Sequence, residues 1–175
     1  VLLRLLLVII LVVALQSSVL LNLRIDGIHP EIVWFLPMAA ALLGGADYGA
    51  IVGFTAGFAI DCLLPAPFGL SAFVGVLLGY GLGQFSERTG LAADGGAWWL
   101  VPLIGLITSF LAVLAYAAFG IVFGQDQFAN ANYLGLVTVV PLTSAIFAIP
   151  VWLSMSWAFG SRRGAHHRRT SEVSW

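Results

Sequence analysis

Asp61 is the residue of this chain whose type and setting most invite chemistry: it closes the apolar run Gly53-Phe54-Thr55-Ala56-Gly57-Phe58-Ala59-Ile60-Asp61. A carboxylate so placed can act as an acid or base, hold a metal ion, or anchor a structural hydrogen bond. The first two roles need companions. No second acidic residue lies near it within the apolar segments, so neither an acid/base pair nor a paired-carboxylate metal site is expected. His29 and the pair His166-His167 are scattered and lack cysteine or acidic companions at ligand spacing. A serine nucleophile at Gly69-Leu70-Ser71 would need a base, and no histidine lies within a later hydrophobic segment. No glycine-rich phosphate loop follows a strand pattern, and the single Cys62 permits no intrachain disulfide. The sequence therefore points to no enzyme, no cofactor and no metal, and leaves Asp61 a structural part.

That part has a cost attached. A carboxylate at the middle of a membrane helix costs about 2.5–3.5 kcal/mol on insertion scales, so it must face protein or water. At ~1.5 Å per residue, Asp61 and Gln16 lie at similar distances from the starts of their segments, in the outer half of a bilayer. The expected partners are Gln16, Ser17 or Ser18 on the first segment, or Arg24 reaching down from the first outer link. The alternative is that Asp61 snorkels alone to the interface.

The elements that carry Asp61 are marked by glycine. Gly45, Gly49, Gly53 and Gly57 recur every fourth residue up to Asp61, and Ser71, Gly75, Gly79 and Gly83 repeat the spacing after Pro65-Ala66-Pro67-Phe68-Gly69. On a helix such a row forms one slanted ridge, here a groove of bare backbone on each of two helices. In lipid, helices associate through close packing and interhelical hydrogen bonds, which small residues in register allow. Residues 45–83 thus read as a tight helical hairpin, its angle fixed by a turn at Pro65, Pro67 and Gly69 that neither helix can continue through.

Composition places this hairpin in a membrane. Of 175 residues, 61% are hydrophobic and 9% charged, against about 25% charged in soluble domains, and the mean hydropathy is +1.03. The pattern is one transmembrane domain over residues 1–160 and a basic cytoplasmic tail over 161–175. Six segments are expected: Leu2 to Leu23, Ile32 to Leu43 behind a helix start at His29-Pro30-Glu31, Asp47 to Leu64, Phe68 to Phe85, Trp98 to Phe123, and Leu134 to Phe159. The first reads as a retained helix rather than a signal sequence. The second is short and contains Pro37, so a kink or a thinned bilayer is expected there. With both ends cytoplasmic, Arg4, Arg88, Arg162, Arg163, Arg168 and Arg169 face inward and Arg24 alone faces outward, as the positive-inside rule requires. The tail reads either as a topology determinant or as a binder of anionic headgroups in the lipid bilayer. Nothing suggests nucleic acid.

Gln16-Ser17-Ser18-Val19, Pro30-Glu31, and Gly53 to Asp61 leading to Pro67-Phe68-Gly69-Leu70 together resemble the MreD family of bacterial rod shape-determining membrane proteins, over about residues 5–160. Members commonly carry Pro-Asp where this chain has Pro30-Glu31. The second half matches by hydropathy more than by motif. The resemblance implies a non-enzymatic scaffold of the peptidoglycan-synthesising elongasome, in the inner cell membrane. Its partners would be an MreC-like membrane protein and, through it or directly, RodA, a class B penicillin-binding protein and the MreB filament. It also implies an all-α polytopic bundle of about six transmembrane helices, similar to the S-components of energy-coupling-factor transporters. That fold similarity raises a second function, the substrate-binding subunit of a vitamin transporter. A transporter subunit needs an outward pocket under loops long enough to close it, and only residues 124–132 offer such a lid.

Overall fold

The computed structural model describes residues 2–20, 31–63, 68–90, 98–122, 140–142 and 145–171. Among them every regular element is helical: α1 (Leu2–Leu15), continued by a π-helical turn (Gln16–Leu20), then α2 (Phe35–Gly44), α3 (Ala46–Leu63), α4 (Leu70–Thr89), α5 (Val101–Val122) and α6 (Ala148–Ser171). Two of these, α3 and α5, are long and apolar enough to cross a membrane. Of the expected bundle of about six crossings, the described residues show the all-helical character and two helices of that kind.

Proline marks where three helices begin. Pro102 is the second residue of α5, while Pro37 and Pro150 are the third residues of α2 and α6. In a first turn the missing N–H has no intrahelical acceptor to lose and the fixed φ suits the helix. Pro37 therefore starts α2 instead of kinking it. The expected start at His29-Pro30-Glu31 lies four residues too early, because residues 31–32 have no regular structure and a turn follows at 33–34, held by Phe35 N–H to Ile32 O and Leu36 N–H to Val33 O. Segment six is likewise not one helix from Leu134: a turn at residues 146–147 precedes α6, and α6 continues through the expected tail boundary to Ser171.

The short α2 is the core. Residues 32–42 are all buried, with Phe35, Leu36, Met38, Ala39, Ala40 and Ala41 fully so. It is ~15 Å long and is wrapped by α3, α4, α5 and α6. Outside, the surface is apolar. Leu3, Ile10, Ile51, Phe54, Phe68, Leu103, Leu153 and Trp157 are all exposed, far more greasy area than a water-facing monomer shows.

The bundle has two distinguishable ends. At one, Arg4 of α1 lies over the Trp157 ring, 4.9 Å from its centroid, and Tyr48 meets Phe159 edge to face at 5.5 Å. At the other end come together the π-turn of α1, the approach to α2, the end of α3, the start of α4 and the last turns of α5. The π-turn itself is the kind of local rewinding that concentrates at functional positions.

Candidate functional site: a carboxylate-capped glycine seam

The two glycine ridges close on each other. Gly49 faces Gly79, Gly53 faces Gly75, and Gly57 faces Ser71, each step of four along α3 meeting a step of four back along α4. A Cβ built on Gly53 would sit within 3.0 Å of the Gly75 carbonyl oxygen, and one on Gly75 would do the same to the Gly53 carbonyl. The same reciprocity joins Gly49 and Gly79, while Gly83 lies against the Ala46 backbone. Gly49, Gly53, Gly57, Gly75 and Gly79 thus each point a Cα hydrogen at a carbonyl of the opposite helix, the arrangement of a Cα–H···O contact at close helix approach. Alanine is already too large here. Among the described elements this seam forms the most extensive interface.

Both ends of the seam are closed by a carboxylate from the opposite helix. Asp61, near the end of α3, is buried with 4% of its surface exposed. Its Oδ2 accepts the N–H groups of Gly69 (3.0 Å) and Ala72 (3.1 Å), and its Oδ1 accepts that of Ser71 (3.2 Å). These are N–H groups of the first turn of α4, which have no intrahelical acceptor, and the negative charge complements the positive end of the helix dipole. Gly69, at φ 95°, occupies the N-cap position itself and has no side chain to offer. At the other end Glu87, in the last turn of α4, accepts the Ala46 N–H at the start of α3 through Oε1 at 2.9 Å. The chain there turns from α2 into α3 across the single residue Gly45, at φ 88°.

Among the described residues Asp61 takes its hydrogen bonds from the backbone at the start of α4 and none from Gln16, Ser17 or Ser18. Arg24 lies outside the described residues, as do Pro65 and Pro67. Gln16 has a task of its own. It is 5% exposed, and its Oε1 accepts the N–H of Ile32, itself 1% exposed, at 2.9 Å. Residues 32–34 precede the helix and are buried, so their backbone donors must find acceptors inside the protein. Ser17 turns back onto its own helix, donating to Ala14 O at 3.2 Å, and Ser18 is exposed.

Neighbouring groups complete this end. The Trp34 indole N–H donates to Glu31 Oε2. Tyr116 of α5 hydrogen-bonds Ser71, and its phenol lies within electrostatic reach of both Glu31 and Asp61. The layer thus joins α1, the approach to α2, α3, α4 and α5. It is built for holding segments together: Asp61 already accepts three N–H groups, and among the described residues no group of three or more His, Cys, Asp or Glu side chains could hold a metal ion.

The sequence reading missed Glu87, Glu31, Trp34 and Tyr116. For Glu87 a signal existed, because Gly45-Ala46 opens α3 with no capping side chain and an antiparallel neighbour ends in a glutamate. Comparison with protein families, curated proteins and solved structures finds no match to this chain.

Proposed function

We propose that this protein is a non-enzymatic, multi-pass component of the bacterial inner membrane that binds and positions partners of the cell-wall elongation machinery. Its partners in this reading are an MreC-like membrane protein and, directly or through it, RodA, a class B penicillin-binding protein and the MreB filament. The observation that carries the proposal is the seam. The residues on which the resemblance to the MreD family rests most heavily, Gly53 to Asp61 and Gly69-Leu70, are those that lock α3 to α4. A rigid, side-chain-free seam spends its polar groups on holding one arrangement and leaves none facing a substrate.

Six crossings with both termini cytoplasmic would put Asp61 and Gln16 at the outer face and Glu87, Arg4 and Arg88 at the inner one. In that reading α2 and the non-helical residues 31–34 cross together. Irregular backbone at membrane depth is tolerated where protein buries it, and the Gln16 to Ile32 hydrogen bond supplies that condition. Because the glycine grooves are consumed by each other, a partner's transmembrane helix would dock on an outward apolar face. One such face is the ridge of Phe54, Phe58 and Phe68, whose rings stand 5.9 and 5.4 Å apart.

The test is recovery of the MreC-like partner from detergent extracts together with cell shape. Gly53→Leu and Gly57→Leu should lower recovery and round the cells, with size-exclusion profiles showing whether each variant is still folded. Full recovery and normal rods with both variants would overturn the reading. Affinity for a small ligand and co-purification with an ATPase module would replace it with the transporter subunit.

A further inference from the structure

At the end of the bundle that holds the start of α1, a cation stands without a protein counter-ion. The Arg4 guanidinium is exposed and lies over the exposed Trp157 ring of α6, 4.9 Å from its centroid, within the range of a cation–π contact. Two carboxylates share this end, Asp47 and Glu87, and Glu87 is engaged with the Ala46 N–H. Among the described residues Arg4 forms an ion pair with neither. The indole covers a face of the guanidinium, so the N–H donors around its rim stay free. The contact also fixes what lies beside Arg4. α1 and α6 run antiparallel, because the far end of α1 reaches Ile32 through Gln16, and Ala148 at the start of α6 sits at that same end, beside Gly105 and Phe35. Helical spacing therefore carries Leu7 and Leu11 up the Arg4 side of α1, and Leu153 and Ile149 up the Trp157 side of α6. All four are exposed. From Arg4 to Leu11 this apolar surface runs ~10 Å along the helix.

We propose that Arg4 binds the phosphate of an anionic phospholipid, with Trp157 holding the guanidinium in place and an acyl chain lying along Leu7, Leu11, Leu153 and Ile149. The inference rests on the membrane reading proposed above, in which this end faces the cytoplasm. In that reading the apolar rows are covered by lipid whatever its head, and the cation decides which lipid stays. A guanidinium grips a phosphate with two parallel N–H donors. Zwitterionic heads carry an ammonium that offsets the phosphate, whereas a phosphatidylglycerol head brings its negative charge uncompensated. An acidic peptide would satisfy Arg4 but not the apolar rows, which in this reading run into the bilayer.

The experiment is native mass spectrometry of the full chain, extracted from membranes in mild detergent and given phosphatidylglycerol and phosphatidylcholine at equal concentration. The single-lipid adduct with phosphatidylglycerol should exceed that with phosphatidylcholine about fivefold, the effect of a cation at a headgroup. Arg4→Gln should bring the ratio close to equality, while Arg88→Gln, which removes another exposed cation of the same end, should leave it unchanged. Trp157→Leu should lower the ratio about twofold, and Trp157→Phe, which keeps an aromatic face, should retain most of it. Equal adducts in the unaltered chain overturn the site whatever the variants do. Equal losses from Arg4→Gln and Arg88→Gln overturn it as well, since the preference then belongs to diffuse charge. A chain found in the membrane fraction yet indifferent to the headgroup overturns the site alone. A chain absent from that fraction overturns the membrane reading with it.

Discussion

The two carboxylates that close the α3–α4 seam do the same job under different conditions. Asp61 is buried and takes up three N–H groups of the following helix. Glu87 is exposed and takes up one. The serines tell the same story. Ser71, beside Asp61, is bonded by Tyr116, whereas the buried hydroxyl of Ser86, beside Glu87, has no partner among the described residues. An unsatisfied polar group in a buried site costs its desolvation penalty, a cost that Ser86, 0% exposed, carries and Ser71 does not. The buried carboxylate is thus the one whose acceptor capacity is used most fully by the helix it caps.

The sharpest way to break this comparison is to part the helices between the caps. Gly53→Leu drives a side chain into the Gly75 carbonyl and should cost more than ~3 kcal/mol, above the usual range for overpacking because backbone must move. Unfolding in mixed detergent micelles would read it, and both caps should loosen together in amide hydrogen exchange at Ala46 and Ala72. Asp61→Ala should come next, at about 3 kcal/mol, since it strands three donors in a buried site. Asp61→Asn keeps one acceptor and should lose roughly half as much. Gln16→Leu should cost about 2 kcal/mol by leaving the Ile32 N–H buried without an acceptor. Glu87→Ala should cost about 1 kcal/mol or less, as an exposed cap does. If it matches Asp61→Ala, the contrast between the ends is lost. The smallest effect is a gain: Ser86→Ala should raise stability by roughly 0.5–1 kcal/mol by removing a buried, unbonded hydroxyl, while Ser71→Ala should lower it.

How far the sequence discloses this arrangement depends on what kind of partner a residue has. The seam is legible because glycine at every fourth position has one physical use, close approach of backbone, and both ridges carry it in the same register. The burial of Asp61 is legible from its apolar neighbours. Its partner is not, because the partners are main-chain N–H groups 8 to 11 residues later, and main chain carries no residue-specific signal. The clue is indirect: α4 opens on Gly69-Leu70 without a capping side chain, so its first-turn donors must be met from elsewhere. The start of α2 is ambiguous for a related reason. Pro30 and Pro37 both satisfy the rule for a first turn, and only tertiary burial of residues 32–34 chooses the second. The turn before Ala148 is hidden because its residues, Ile146 and Phe147, are as apolar as the helix that follows.

The complete enclosure of α2 has a consequence for how such a chain is made. A segment of ten helical residues that touches other helices on every side gains nothing from contact with acyl chains, and it is too short to be retained by the translocation machinery as a span of its own. In the membrane reading proposed above, its place in the bilayer has to be granted by α3, α4, α5 and α6, the helices that enclose it, so biogenesis would pass through a step in which an interior segment waits, outside or at the surface, for its walls to be built.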